Sequence, residues 1–242
     1  MPHGAPDDSN VRKEQSVYSL SDLAELAARL GSVLLYRRSG DVLFMDDFEN
    51  GLGAWYVGKS GTNSDAALSN DYVLSGSIAV FLDSGTGASP EVRITHTMCP
   101  PVLGRVGFAI AFSPYTGLNT TLFEIMQYDG TKLTRYGVVY DWPGQELRYR
   151  DVDGSEVAFA TDVQLRSAVG LYHQTKLVVN LSTKCYVEFI LNDTEYALDN
   201  VEAWQQASTT PSSMDVSVMV RGALVVPHRC YVDNAVVTQN EP

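Results

Sequence analysis

Asp46, Asp47 and Glu49 stand with Asn50 in the stretch DDFENGLGAW, directly behind the apolar run VLFM. Oxygen-bearing side chains so closely spaced at the end of a strand have two uses. They are hard donors for a cation, or they are turn caps that satisfy nearby main-chain N–H groups. A second chemistry belongs to aromatic side chains beside amides, because a pyranose ring stacks its apolar face on an aromatic ring and hydrogen-bonds through its rim. Trp142 in YDWPGQ, with Gln145 close behind and Tyr115 upstream, is the foremost candidate platform, and Trp55 and Trp204 are others. A tryptophan in a layered β protein is also a common core plug, so packing competes with display at Trp142.

Nucleophilic and metal-assisted catalysis find little support. His3, His96, His173 and His228 are scattered singly, and neither an HExxH pair nor a Gly-x-Ser-x-Gly elbow is present. No glycine-rich loop leads from a strand into a helix to hold phosphate. Cys99, Cys185 and Cys230 are far apart, without zinc-ligand spacing, and read as small apolar core residues. With 29 acidic against 17 basic residues, a formal net charge of −12, the chain has no surface composition for collecting nucleic-acid phosphates. No apolar run approaches a membrane span, and the polar start MPHGAPDDSNVRKEQS has no secretory h-region. The expectation is a protein made in the cytoplasm, with no nucleic-acid or membrane partner.

The elements that would position these residues differ along the chain. Residues 1–31 form an N-terminal arm and one short helix, SLSDLAELAARL, with an apolar stripe and Gly31 as its stop. Leu20, Leu23, Leu26 and Leu30 are its assembly candidates. From Ser32 to the end the period changes to two. VLLYR and DVLFM flank Ser39-Gly40, FEIMQY and KLTRYG flank Asp129-Gly130, and ELRYRDV and EVAFAT flank Asp153-Gly154. Asp-Gly between alternating runs marks a tight hairpin, because its central positions need positive φ. Further strands are expected at 72–82, 91–98, 105–113, 170–180, 184–192, 214–221 and 229–238.

Several runs alternate cleanly. Val106, Phe108, Ile110 and Phe112 share one face, opposite Gly107, Ala109 and Ala111; Val216, Val218 and Val220 lie opposite Asp215, Ser217 and Met219. In CYVEFIL, Cys185, Val187, Phe189 and Leu191 are expected on one face, and Tyr186 and Glu188 on the other. One dry and one wet face per strand, with no intervening helices, implies two antiparallel sheets stacked as one all-β sandwich over residues 32–242.

DDFENGLGAW, YVLSGSIAVFLDSG, LYHQTKLVVNLSTKCYVEFILNDTEY and CYVDNAVV together resemble the concanavalin A-like jelly-roll domains, a group with laminin-G-like modules, carbohydrate-binding modules and some β-glucanases. The resemblance spans roughly residues 42–239. It implies that the first and last strands run side by side, so that Asp46, Asp47 and Glu49 meet Asp233 and Asn234, a candidate set for a structural Ca²⁺. The glucanase branch carries a Glu-x-Asp-x-x-Glu pattern on one strand, which this chain lacks. Glu124 and Asp129 are five apart, on opposite faces of a strand. His173 falls where laminin-G-like domains place a structural histidine.

These readings lead to a non-enzymatic structural or binding protein with no certain cofactor. Its polar arm and absent export signal resemble those of virion surface proteins of tailed phages. The first expectation is a capsid decoration protein, a homo-oligomeric trimer contacting capsid through residues 1–31. The alternatives are a carbohydrate-binding module and, third, a glycoside hydrolase.

Overall fold

The computed structural model of the chain describes residues 40–99, 104–117 and 119–242. The arm, the helix SLSDLAELAARL and Leu20, Leu23, Leu26 and Leu30 lie outside the described residues, as do His3 and the strand expected before Ser39. The described residues contain strands and turns and no helix.

The first sheet holds β1 (Asp41–Asp46), β3 (Asp65–Ser69), β4 (Ala79–Asp83), β6 (Arg105–Thr116), β11 (His173–Asn180), β12 (Cys185–Leu191), β13 (Thr194–Ala197) and β16 (Arg229–Gln239). Its order is β13-β12-β11-β6-β16-β4-β3, with β1 also on β16. The second sheet holds β2 (Tyr56–Thr62), β5 (Thr86–Met98), β7 (Thr120–Tyr128), β8 (Lys132–Asp141), β9 (Glu146–Arg150), β10 (Glu156–Ala160), β14 (Trp204–Ala207) and β15 (Ser213–Arg221). Its order is β10-β9-β8-β7-β15-β5-β2, with β14 also on β8. Every pairing is antiparallel.

The alternation explains the core. Val106, Phe108, Ile110 and Phe112 of β6 face Phe123 and Ile125 of β7 and Val216, Val218 and Val220 of β15 in one continuous apolar cluster. Each such side chain taken fully out of water contributes about 1.5–3 kcal/mol, which fixes both sheets face to face. Both Asp-Gly hairpins form, β7 with β8 and β9 with β10.

Two bulges override simple alternation. On β12, Val178↔Glu188 is followed by Val179↔Tyr186, so Val187 is an extra residue. The bulge turns Tyr186 into the core beside Phe189 and Leu191, whereas strict alternation places it on the opposite face. Its hydroxyl donates to the main-chain oxygens of Gly137 and Arg150 or accepts the Gly137 N–H at 2.8 Å. On β16, the register slips between Asp233 and Val236, and Asn234 takes a left-handed φ of 52°. Asparagine tolerates that region better than most residues. Of the cysteines, Cys230 alone is buried; Cys185 is half-exposed and Cys99 exposed, against the expectation that all three are core residues.

Candidate functional site

The opening and closing motifs do meet. β1 pairs with the C-terminal half of β16, Asp46 opposite Ala235, while β4 pairs with its N-terminal half. The β16 bulge lies at the junction, and the loop 74–78 enters there. Asp233 Oδ2 accepts the N–H groups of Leu74 at 2.9 Å and Ser75 at 3.2 Å, and its Oδ1 accepts that of Asn234 at 2.8 Å. Asn234 Oδ1 accepts the Ser75 hydroxyl at 2.9 Å. Glu49 Oε1 accepts the N–H groups of Ser77 and Ile78. Asp46 accepts the Phe48 N–H and the Trp55 indole N–H, each at 2.8 Å, and Asp47 accepts the Glu49 N–H at 3.2 Å. A Cβ on Gly76, whose φ is +69°, would stand 2.3 Å from Glu49 Oε1.

These five side chains therefore clamp three backbone segments together. Asp46, Asp47, Glu49 and Asp233 each accept N–H groups, and Asn234 accepts the Ser75 hydroxyl. Among the described residues no group of three or more His, Cys, Asp or Glu side chains is arranged to hold a metal ion. Burial, with Asp47 nearby, pushes the Asp233 carboxyl up to about 6.

The aromatic candidates separate. Trp142 is a core residue, 7% exposed, with its indole N–H on Thr121 Oγ1 at 3.2 Å and its ring against Tyr140 and Phe112. It plugs the sandwich end and cannot present a face to a sugar; the platform expectation is corrected there. Gln145 is exposed on the β8–β9 turn, separated by burial from the Trp142 ring. Tyr115 lies on the other sheet with Phe81 and Tyr231. Trp55 is buried against Phe48 and Phe44. His173 is buried and held by the Arg166 carbonyl and Asn192, a structural role. His228 is fully buried, its Nδ1 accepting the Asn119 N–H at 2.7 Å.

The outer face of the second sheet gathers polar chemistry that no single stretch of sequence displays. Gly137, Glu124, Ser217, Thr95 and Tyr56 are successive cross-strand partners on β8, β7, β15, β5 and β2. Arg150 of β9 continues the row, its Cβ 4.0 Å from the place a Gly137 Cβ would take. Beside this row runs another: Trp204, Arg135, Met126, Asp215 and Thr97. Small residues floor the centre, and aromatic rings stand toward both sides. Tyr56 is 73% exposed on the edge strand.

Charge is ordered around Glu124, whose side chain is wholly buried. Arg135 donates to it through Nε at 2.8 Å and Nη2 at 2.5 Å, and Arg93 lies 4.0 Å away. The guanidinium groups of Arg135 and Arg150 both sit on the Trp204 ring, 5.7 and 5.8 Å from its centroid. Burial, with some contribution from Glu124, pushes the Asp215 carboxyl up. Two buried polar atoms of this face, Arg150 Nε and Asp215 Oδ1, have no hydrogen-bond partner. Native structures leave few such atoms, and a bound ligand or water is a usual partner.

No known protein family matches the sequence, and neither does any curated protein. Solved structures do match. An endo-β-1,4-glucuronan lyase from the fungus Trichoderma reesei is 13% identical with a TM-score of 0.53, over 82% of this chain and 96% of its own. A carbohydrate esterase from Shiga toxin-encoding bacteriophage phi24B is 11% identical with a TM-score of 0.52, over 84% of this chain and 100% of its own. The cellulose-induced protein Cip1 is 14% identical with a TM-score of 0.51, over 81% of this chain and 96% of its own. The chain has the concanavalin A-like jelly-roll fold.

Within that jelly roll, the residues that make the outer face a candidate site were partly visible beforehand. Alternation places Glu124, Arg135 and Asp215 on wet faces, and Trp204 stood among the aromatic candidates. Tyr56 carried no local signal, because β2 read as a loop, whereas Arg150 stands on the expected strand ELRYRDV, whose pairing neighbours the sequence does not name. Glu124, Met126 and Tyr128 share one face of β7, so a second carboxylate is absent from that face of the strand; Asp129 lies in the turn, accepting N–H groups from Thr131 and Lys132.

Proposed function

We propose that this protein is a non-catalytic, lectin-like glycan-binding β-sandwich that takes its ligand on the outer face of the second sheet. The observation that carries this reading is the cross-strand row from Arg150 to Tyr56. It combines a small-residue floor, an exposed aromatic ring at one edge, and a parallel row ending in Trp204 with paired guanidinium groups. A sugar chain needs those features, because its rings offer apolar faces and its rims offer hydroxyls. The fold shared with carbohydrate-active proteins is consistent with it.

Binding is favoured over cleavage by the state of Glu124. Its carboxylate is buried under Arg135 and Arg93, where it cannot reach a glycosidic carbon, and retaining hydrolysis needs two carboxyl groups about 5–5.5 Å apart across a substrate. A glycan array followed by calorimetry tests the reading. Tyr56→Ala is expected to weaken binding roughly ten-fold, the value of a lost aromatic stack of about 1–2 kcal/mol. Unchanged binding by Tyr56→Ala and Trp204→Ala variants with native melting curves rules this face out, and release of reducing ends from a bound glycan rules out the non-catalytic part.

The finer reading, a trimeric virion coat protein, depends on residues 1–31. Light scattering of the full chain and of a chain lacking those residues tests it. A trimer that dissociates on truncation supports it, and a monomer in both cases removes it.

A further inference from the structure

We infer that the glycan bound on this face is acidic, its carboxylate resting on Arg150 beside Trp204. The inference rests on the glycan-binding reading above and specifies its ligand.

In a chain of net charge −12, the outer face of the second sheet collects Arg93, Arg135, Arg148, Arg150 and Arg221. Four of the five meet carboxylates. Arg93 has Glu91 and Glu124; Arg135 has Glu124; Arg148 has Asp141 and Glu146; Arg221 has Glu91 and Glu156. Arg150 has none among the described residues. Its cross-strand partner is Glu156, yet that carboxylate turns to Arg221 at 3.8 Å.

Arg150 is nonetheless held in place. Its carbonyl accepts the Tyr186 hydroxyl at 2.9 Å, and its guanidinium lies on the Trp204 ring. A guanidinium fixed without its own anion keeps a preorganised positive charge, which is how proteins prepare carboxylate sites. Arg135 and Arg150 share one indole, and Glu124 is the single carboxylate set against Arg135, so one positive charge on that ring is left to an incoming group. A neutral sugar would leave it unanswered. A nucleic acid is disfavoured by the repulsion of the rest of the surface.

The test is calorimetry of the full chain against oligosaccharides of galacturonate, glucuronate and mannuronate, the methyl ester of each, and a sulfated galactan oligosaccharide. A free uronate is expected to bind about ten- to a hundred-fold more tightly than its ester, the range of a charge-assisted hydrogen bond. Arg150→Gln is expected to weaken acid binding more than ester binding, so that the difference between them is erased. Esters that bind as well as acids, or an acid preference that survives Arg150→Gln, overturn the inference while leaving the glycan-binding reading intact. Tighter binding of the sulfated chain than of every uronate overturns the carboxylate assignment. Failure of every sugar to bind overturns both readings, and Tyr56→Ala separates them, since it weakens acid and ester alike.

Discussion

Asp233 offers a direct measurement of how the clamp at the β16 bulge is held. It is wholly buried, and its carboxyl is pushed up to about 6 from an ordinary 3.8, chiefly by burial and against the pull of three N–H donors. A ten-fold change in a proton's affinity is worth about 1.4 kcal/mol, so ionisation inside the fold costs about 3 kcal/mol. The sign follows from linkage. The folded state binds this proton more tightly than the unfolded state, so the contribution is complete below about pH 4 and lost as pH rises through about 6. Asp233→Asn keeps an oxygen for the Leu74 and Ser75 N–H groups and removes the titration. Any constant offset from the new amide group is independent of pH, so the slope alone is diagnostic. Urea unfolding followed by tryptophan fluorescence, at steps from about pH 4 to pH 8, gives the difference profile between wild type and variant. Wild type is expected to lose about 3 kcal/mol relative to Asp233→Asn across that window. A flat difference, or one that grows in favour of wild type as pH rises, would show that the N–H donors outweigh burial and would overturn this account of the clamp.

His228 works in the opposite direction, and its effect must be separated by variants of its own. Burial presses its imidazole down to about 3, so stability present above about pH 6.5 is lost as pH falls, by up to about 1.4 kcal/mol for each pH unit; His228→Gln is expected to flatten that limb of an acid-unfolding series. Gly76→Ala forces a methyl group against Glu49 Oε1 at positive φ and is expected to cost at least about 1–2 kcal/mol in urea unfolding, with part of the loss recovered when Glu49→Ala is added. Trp142→Ala removes a core plug and is expected to cost about 3–5 kcal/mol in the same assay, while any folded fraction retains the glycan affinity of wild type. Loss of affinity without loss of stability would return Trp142 to the role of platform.

Period-two alternation is written into neighbouring residues, because the pleat sends successive side chains to opposite faces whatever they pair with. That is why β6 and β15 show their core faces in sequence, why Asp129-Gly130 and Asp153-Gly154 mark the hairpins, and why an all-β sandwich could be read before any strand was paired. That the first and last strands run side by side followed from resemblance, and β1 on β16 bears it out. The N–H groups that Glu49 and Asp233 accept across the chain come from the loop 74–78, whose entry there no local pattern encodes.

Register was settled only in three dimensions. Arg150, Gly137, Glu124, Ser217, Thr95 and Tyr56 lie on six strands, and a slip of one residue in any pairing would send that strand's member to the opposite face. The Val187 bulge shows the same dependence, since one unpaired residue carries Tyr186 from the outside to the core. Trp142 turned inward because the sandwich end needed a large ring, although Pro143 and Gly144 beside it mark a surface turn. Local order along the chain limited which side chains can face water. The pairing of distant strands chose which of them stand together, because that choice depends on the summed packing of both sheets.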